Sequence, residues 1–337
     1  MEKVPAFRNA LLTWYRRAKR DLPWRRTGDA YSIWISEIML QQTRVVAVIP
    51  YYERFLNAFP GFASLAQAPE EKLLQLWAGL GYYSRARNLQ KAARQMVELG
   101  GIPRDYNALR QLAGIGDYTA AAIASIAFDL PHAVLDGNVL RVLARLNNDP
   151  SDIADSATRK RMQGAAQNLL DPKHPGEFNQ AMMELGATVC LPRKPQCGAC
   201  PVRTSCAARL AGRENELPVK LRKMSTVRVD RTLLLVRNGD RVLAWRRGEE
   251  SSQLRGFWEL PEPEHLPEAQ IVTRVGEFRH SITNHVYRFE VAEARIFRKP
   301  KSFQYVSLSQ DGDHPLSTTT RKALACLKKW KKSFSGS

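Results

Sequence analysis

The chain of 337 residues is 44% hydrophobic and 9% aromatic, which excludes a wholly disordered protein and, at about 150 residues per domain, predicts two domains. It contains no apolar run of about 18 residues, and residues 1–20 lack a signal peptide's apolar stretch, so we expect no transmembrane helix and a cytoplasmic location. Lysine and arginine total 51 against 33 acidic residues, and this net charge of +18 indicates a polyanionic partner, with an ordinary basic protein as the alternative.

The first half of the chain, residues 5–211, has the apolar spacing of α-helices, interrupted by glycine and proline. Strand patterns are nearly absent here. We therefore predict an all-α domain over residues 1–215. Its predicted helices include residues 9–15, 32–48, 71–80, 86–99 and 118–128.

The second half changes in texture after a polar, basic segment at residues 216–227, which we predict to be a linker. Two apolar segments then flank Asn238 and Gly239, a pair typical of a β-hairpin turn because both residues tolerate positive φ. Residues 286–297 alternate as strands do, and residues 318–331 predict a closing helix. We predict an α+β domain over residues 228–332.

The cysteines are clustered in a way that indicates a metal site. Cys190, Cys197, Cys200 and Cys206 follow the pattern C-x6-C-x2-C-x5-C, and Cys326 lies apart from them. Four thiolates this close in sequence can surround one metal centre with little loss of loop entropy. Both zinc and a [4Fe–4S] cluster accept four cysteines, and the spacing alone leaves both open.

Two glycines, Gly114 and Gly116, lead into an alanine-rich helix after Asp117. This arrangement predicts a tight turn between two helices, whose backbone N–H groups could hold a phosphate without reading sequence. A plain turn with no ligand is the alternative.

Two carboxyl groups are candidates for acid–base chemistry. Glu37 lies in an apolar segment, where desolvation raises a carboxyl pKa and suits it to act as a general acid. Asp136 precedes Gly137 and Asn138. A helix cap or an exposed acid is the alternative for either residue.

The Gly114–Gly116 turn, Asp136 and the four cysteines together resemble the helix-hairpin-helix DNA glycosylases that carry an iron–sulfur cluster. Further blocks resemble, more narrowly, the MutY family of adenine DNA glycosylases, and residues 254–261 (LRGFWELP) resemble that family's C-terminal domain, a relative of the Nudix fold. The narrower blocks are residues 36–43 (SEIMLQQT), 79–83 (GLGYY), 135–139 (LDGNV) and 179–183 (NQAMM).

The resemblance implies a role for each matching residue. Glu37 would protonate the adenine ring and help to position water, and Asp136 would stabilise the positive charge that develops on the deoxyribose. Tyr118 and Asn138 would line the pocket around that sugar. The resemblance further implies that Gln42 and Tyr82 fill or wedge the flipped duplex, that Leu40 and Gln180 contact the adenine, that Gly114 and Gly116 hold phosphate, and that the four cysteines hold a [4Fe–4S] cluster.

Residue 118 separates two branches of the superfamily. Bifunctional relatives carry a lysine there that forms a Schiff base with the sugar and cleaves the strand. Tyr118 cannot form that imine, so we predict a monofunctional glycosylase. In the second domain, the residues after Glu259 include three prolines and no metal-binding run of glutamates, so we predict a binding module without pyrophosphohydrolase activity.

The predicted reading loop departs from the family pattern. Where the family usually has Phe-Ser-His, this chain has Ile282, Thr283 and Asn284. We predict that Thr283 and Asn284 contact 8-oxoguanine through their hydroxyl and amide groups. The alternative is a simple connection between strands.

We predict that the protein is a monomer in the bacterial cytosol or nucleoid that removes adenine paired with 8-oxoguanine or guanine in double-stranded DNA. A bifunctional glycosylase for oxidised pyrimidines is the first alternative, and Tyr118 disfavours it. A DNA-binding iron–sulfur protein without catalysis is the second, and the presence of both Glu37 and Asp136 disfavours it.

Overall fold

The structure, a computed structural model, describes residues 3–221, 225–248, 254–282, 284–307 and 314–334. Contacts between residues divide the chain into two units. The first unit consists of Met1–Gln67 and Asn88–Lys223, and the second of Ala68–Arg87 and Met224–Ser337. Within the described residues, no helix is both long and apolar enough to cross a membrane.

The chain up to residue 221 is helical, which confirms the all-α prediction for this half. Short 3₁₀ turns lie at Pro23–Arg25, Cys197–Ala199 and Arg203–Ser205. The α-helices are α1 (Lys3–Ala18), α2 (Ala30–Leu40), α3 (Val45–Ala58), α4 (Phe62–Gln67), α5 (Glu70–Trp77), α6 (Ser84–Glu98), α7 (Tyr106–Arg110), α8 (Asp117–Phe128), α9 (Gly137–Leu146), α10 (Ser156–Leu169), α11 (Pro175–Thr188) and α12 (Ala207–Leu210).

Aspartate residues determine where several of these helices begin. Asp29, Asp105, Asp136 and Asp155 each precede a helix, and each side chain accepts a hydrogen bond from the backbone N–H three residues later. Such a cap satisfies one of the four N–H groups that a helix leaves without an internal partner. Asp136 is therefore a helix cap as well as a candidate catalytic residue.

The core of the first unit lies where α11 packs against α8 and α9, around buried side chains such as Leu143 and Phe178. Two glycines of α11 permit this close approach. A Cβ on Gly176 would lie 2.5 Å from the Ser125 carbonyl oxygen, and one on Gly186 would lie 2.6 Å from Asn138 Cβ. Gly186 thus allows α11 to contact the beginning of α9, where two of the candidate site residues are located.

Among its described residues, the second unit contains a six-stranded sheet, which confirms the α+β prediction. Its elements are β1 (Val227–Asn238), β2 (Arg241–Arg246), β3 (Trp258–Glu259), β4 (Gln270–Ile282), β5 (His285–Arg295), β6 (Phe303–Ser307) and the helix α13 (Thr318–Phe334). The path order is β3-β2-β1-β5-β4, with β6 paired to β2; β1 and β5 are parallel, and β4 and β5 are antiparallel. The predicted hairpin is present, with Gly239 at a φ of 61°.

The sheet buries apolar residues on both faces. One core contains Leu233, Phe289 and Val291 together with Leu324 and Leu327 of α13. A second core contains alternate residues of the same strands, including Leu234 and Ala292.

A segment of the helical half belongs to the second unit. The predicted boundaries separate the chain once, after residue 215, whereas residues 68–87 belong by their contacts to the second unit. Those contacts include the ring of Tyr83 on that of Phe257, with centroids 4.0 Å apart, and a hydrogen bond from Arg321 to the Ala78 carbonyl. They join positions more than 170 residues apart, which no local change of composition reveals.

Candidate active site

The first unit contains a cavity of about 630 Å³ between α2, α8, α9 and α11. A pocket of this size is typical of small-molecule and base-sized ligands. Tyr82 is not one of its lining residues; it belongs to the second unit, where its side chain is 45% exposed. The predicted residues that line the cavity are Glu37, Leu40, Gln42, Tyr118, Asp136, Asn138 and Gln180.

Glu37 is a buried carboxyl group with one strong polar partner. Its side chain is 5% exposed, and the Tyr118 hydroxyl donates a hydrogen bond of 2.6 Å to Oε2. Burial raises the pKa of Glu37 to about 7, an effect that the hydrogen bond from Tyr118 opposes and the nearby Asp136 reinforces. Glu37 can therefore hold a proton near neutral pH and release it to a substrate, as a general acid must.

Tyr118 remains protonated beside it. Burial, followed by the negative charges of Glu37 and Asp136, raises the pKa of Tyr118 well above its ordinary value. The hydroxyl consequently acts as a donor toward Glu37 and not as a nucleophile. The monofunctional reaction expected from a tyrosine at this position stays a prediction.

Asp136 has a more polar environment than Glu37. Its carboxylate accepts hydrogen bonds from Val139 N–H at 2.7 Å and from Asn138 Nδ2 at 2.8 Å. Burial raises the pKa of Asp136, and these two hydrogen bonds oppose the rise. The N-terminus of α9 also favours the charged form. Two carboxyl groups in different environments can thus take different protonation states, one a donor and the other an anion.

Arg141 fixes the orientation of Asn138. Its Nη2 donates to Asn138 Oδ1 at 2.8 Å and to the Gly186 carbonyl at 2.7 Å, while its Nε donates to the Cys190 carbonyl at 2.8 Å. The oxygen of the Asn138 amide is thereby directed at Arg141 and its nitrogen at Asp136. The sequence patterns assigned no role to Arg141, although two arginines, Arg141 and Arg145, within the otherwise apolar run 139–146 were a usable signal.

A second group missed from the sequence is an ion pair in the cavity wall. Glu184 is fully buried and accepts hydrogen bonds from Arg20 and Arg25 at 2.7 and 2.8 Å. Burial raises the pKa of Glu184, but the hydrogen bonds from the two arginines outweigh it and bring the value to about 2. Glu184 is therefore ionised at neutral pH and holds the segment before α2 against α11.

Further polar side chains line the same cavity. The Tyr15 hydroxyl donates a hydrogen bond of 2.7 Å to Gln180 Oε1, which holds the amide in place. Gln42 follows the end of α2 with a φ of 58°, an uncommon value for a residue other than glycine. Leu40 ends α2 beside it. These residues supply apolar and amide contacts of the kind that a flipped base requires.

The Gly114–Gly116 turn lies between α7 and α8, as predicted. Gly114 has a φ of 74°, and a Cβ there would lie 2.7 Å from Asn88 Cβ, so packing alone requires glycine. Gly116 is the N-cap of α8. The turn is confirmed, and its contact with phosphate stays a prediction.

The four clustered cysteines line one small cavity between α11 and α12. Arg145, which is buried, donates from Nη1 to Cys190 Sγ at 3.2 Å and to the Leu191 carbonyl at 2.7 Å. Four thiols around one cavity with a cation beside them are a donor set that fits an iron–sulfur cluster. In the described part of the chain, no three His, Cys, Asp or Glu side chains form a group that could hold a single metal ion.

The predicted reading loop lies at the turn between β4 and β5. Thr283 falls outside the described residues. Asn284 is half-buried, its Nδ2 donates to the Ser225 carbonyl at 3.1 Å, and its own carbonyl accepts from Val227 N–H at 2.9 Å. Asn284 therefore holds the beginning of β1 beside the turn, and its contact with a damaged base stays a prediction.

Comparison with known proteins assigns the family. Residues 35–168 match the HhH-GPD superfamily of base excision DNA repair proteins. A solved structure of a thermostable thymine-DNA glycosylase is similar with a TM-score of 0.56 and 30% identity, and the match covers 62% of this chain and 98% of that one. The chain belongs to the HhH-GPD superfamily. The matched range contains both carboxyl groups, the Gly114–Gly116 turn and Tyr118.

The chain is also similar to proteins named adenine DNA glycosylase. The chain is 50% identical over 226 residues to the adenine DNA glycosylase of Homo sapiens, which covers 64% of this chain and 41% of that protein. It is 40% identical over 308 residues to the adenine DNA glycosylase of Arabidopsis thaliana, which covers 79% of this chain and 49% of that protein. The chain thus spans less than half the length of these relatives.

Proposed function

We propose that this protein hydrolyses the N-glycosidic bond of adenine paired with 8-oxoguanine or guanine in duplex DNA and leaves the strand intact. The observation that carries the proposal is the pair of carboxyl groups in one base-sized cavity, with Glu37 protonated near neutral pH and Asp136 held by donors. The names of its relatives support adenine as the released base.

Base release begins with extrusion of the adenine from the duplex, which costs a few kcal/mol. The cavity supplies compensating contacts, since Leu40 offers an apolar surface and Gln42 and Gln180 offer amides. Arg20 and Arg25, held by Glu184, add positive charge to the same cavity. That charge suits the phosphate groups on either side of the flipped nucleotide.

Glu37 then transfers its proton to a ring nitrogen of adenine. As the C–N bond breaks, its electron pair leaves with the base, and positive charge develops on the sugar. The Asp136 carboxylate stabilises this charge, and Asn138 keeps the carboxylate in place. Water adds to the sugar carbon, and the Glu37 carboxylate takes the proton that the water loses, which restores the acid.

Tyr118 accounts for a reaction that stops at base release. Strand cleavage by a glycosylase requires an amine that forms an imine with the opened sugar. The side chain at this wall of the cavity is a phenol that donates to Glu37. The reaction therefore ends when water has added to the sugar carbon in place of the adenine, and the phosphodiester bonds of the strand remain.

In the second unit, we propose that strand residues next to the β4–β5 turn bind the DNA backbone. A cavity of about 450 Å³ on the sheet is lined by Arg228, Arg279 and Arg288. Asp230 pairs with Arg288 at 2.8 Å, which leaves a net positive lining. Arginine-lined surfaces of this kind bind phosphate. A DNA backbone bound at this cavity would run past the turn, and we therefore propose that Thr283 and Asn284 contact 8-oxoguanine.

We further propose that Cys190, Cys197, Cys200 and Cys206 hold a [4Fe–4S] cluster. When bound, this group cross-links the segment between α11 and α12, which is too short to form a core of its own. Iron and sulfide analysis of anaerobically purified protein tests this. Stoichiometric iron that is lost in Cys197→Ser and retained in Cys326→Ser is expected, whereas stoichiometric zinc without iron contradicts it.

A protein whose substrate is genomic duplex DNA works where the DNA lies, which in a bacterium is the cytoplasm. The monomeric state stays a prediction, which light scattering of the purified chain measures.

Incubation with defined duplexes tests the proposed activity. Substrates contain a single A:8-oxoguanine, A:G or thymine-glycol site, and each reaction is divided and treated with or without alkali. We expect strand breaks for the two adenine mispairs and only after alkali. Breaks without alkali, or an imine trapped by borohydride, support a bifunctional glycosylase, and activity on thymine glycol alone contradicts adenine as the substrate.

A further inference from the structure

We infer that the second unit positions Tyr82 for insertion into the duplex by bracing the loop that carries it; this inference rests on the proposed function. The loop consists of residues 78–83 and is called the wedge loop below. It follows α5 and belongs to the second unit together with the sheet and α13. The second unit thereby contributes to base flipping for every mispair, separately from any reading of the opposite base.

The wedge loop has an uncommon backbone conformation. Gly79 and Gly81 have φ values of 114° and 72°, and Tyr82 has a φ of 48°. A tyrosine in the left-handed region costs free energy, and it persists only where surrounding contacts determine the conformation. Within the loop, Trp77 Nε1 donates to the Gly81 carbonyl at 3.1 Å and Arg85 Nη2 donates to the Leu80 carbonyl at 3.0 Å.

Side chains of α13 and of the segment before β3 hold both ends of the loop. Arg321 Nη1 donates to the Ala78 carbonyl at 3.2 Å at the beginning. At the end, the Tyr83 hydroxyl lies 3.3 Å from Thr318 Oγ1, and the Tyr83 ring lies on Phe257 with centroids 4.0 Å apart. The loop is therefore fixed at two points by residues more than 170 positions later in the chain.

Neighbouring contacts fix α5 and the start of α6 in the same unit. Arg87 donates from Nε to Glu70 at 2.7 Å and from Nη2 to the Arg255 carbonyl. The Arg255 side chain lies 3.7 Å from Glu70, and His314 lies 3.6 Å from Glu71. These contacts are partly exposed and individually weak, but together they restrict the helices on both sides of the wedge loop.

The two adjacent tyrosines, Tyr82 and Tyr83, have different roles in the wedge loop. Tyr83 is 7% exposed and serves as the anchor, whereas Tyr82 is 45% exposed and is held beneath the guanidinium of Arg85, whose carbon lies 5.7 Å from the ring centroid. A rigid aromatic ring presented to solvent can enter a base stack at low entropic cost. Bracing thus keeps Tyr82 in an insertion-ready position before DNA is bound.

The test measures base flipping directly in the full chain. Duplexes carry 2-aminopurine at the adenine position opposite 8-oxoguanine or guanine, and its fluorescence reports unstacking. We expect Arg321→Ala to slow flipping about fivefold in both duplexes, the effect of one hydrogen bond, and Arg321→Lys to restore most of the rate because it keeps a donor. Lys328→Ala, an exposed lysine of the same helix, is the matched control and should leave the rate unchanged.

A double-mutant cycle identifies the route of the effect. If Arg321 acts through Tyr82, Arg321→Ala adds nothing to the defect of Tyr82→Ala. Tyr83→Phe, which keeps the ring on Phe257 and loses only the hydroxyl, provides a milder second variant with an expected twofold effect, about half that of a full hydrogen bond. Unchanged flipping in both Arg321→Ala and Tyr83→Phe, or additive defects in the cycle, overturn the inference. Absence of adenine release by the unmodified protein overturns the proposed function instead.

Discussion

The cavity of the first unit and the β4–β5 turn of the second hold their candidate residues in different ways. The cavity residues lie at the ends and on the buried faces of helices, where Glu37, Tyr118 and Asp136 are connected by hydrogen bonds or by close charge. The turn presents Asn284 near the surface, bonded to the backbone of the preceding segment. Chemistry that requires a shifted pKa needs the first kind of site, whereas recognition of a base needs only hydrogen-bonding groups, which different side chains can supply.

This contrast predicts that changes in the cavity affect rate and changes near the turn affect affinity. The largest effect is expected for Glu37→Gln, which keeps the shape of the side chain and removes its transferable proton. Adenine release under single turnover should fall by about a hundred- to ten-thousandfold, while duplex affinity changes little. A rate within about threefold of the unmodified protein, far less than general-acid loss should cost, contradicts the assignment of the acid.

Glu184→Gln tests the buried ion pair of the cavity through the stability of the protein. It leaves Arg20 and Arg25 next to a buried group without charge, and loss of one partner from such a pair should reduce the free energy of unfolding by about 3 kcal/mol. Urea denaturation measures this. Glu177→Gln, on the same helix and in a surface pair with Arg16, is the matched control and should cost less than about 1 kcal/mol.

The same pair predicts a pH dependence of stability. Folding lowers the pKa of Glu184 from 4.5 to about 2, so its contribution is complete above pH 4.5 and is lost as the pH falls toward 2. The difference in stability between Glu184→Gln and the unmodified protein should therefore shrink across this range. A difference that stays constant shows that the ion pair is not its source.

Substitutions in the arginine-lined cavity of the sheet should affect binding with little change in rate. Arg228→Gln and Arg279→Gln should each lower the slope of log affinity against log salt concentration by about 0.9, as one lost phosphate contact does. The loss should be the same for damaged and undamaged duplexes. Arg237→Gln, on the same strand β1 but paired with Glu293 at 2.5 Å, is the control with an unchanged slope. If the salt dependence of affinity is unchanged in all three variants, the DNA backbone binds elsewhere on the protein.

The smallest and most selective effect is expected at Asn284. Asn284→Ala should weaken binding to A:8-oxoguanine about fivefold more than binding to A:G, the worth of one hydrogen bond. Competition binding with the two duplexes measures the ratio. Equal losses for both mispairs indicate that this residue only holds the beginning of β1.

Sequence patterns predicted some elements and site residues of these regions and missed others. The helical half, the hairpin at Gly239 and the cavity residues from Glu37 to Gln180 that were named in advance follow from local patterns and from blocks that match a known family. Arg141, Glu184 and the position of Tyr82 in the second unit do not. Each depends on contacts between distant segments, such as Arg20 with Glu184. A charged residue in an apolar helix indicates that a partner exists without indicating which one.

The most direct test of the central claim is the pH dependence of adenine release under single turnover. Because Glu37 must carry the proton and its pKa is about 7, the rate should fall as the pH rises through 7. Tyr118→Phe removes a hydrogen bond that lowers this pKa, so the fall should move to higher pH. A rate independent of pH across this region, or a fall that moves to lower pH in Tyr118→Phe, would contradict the account.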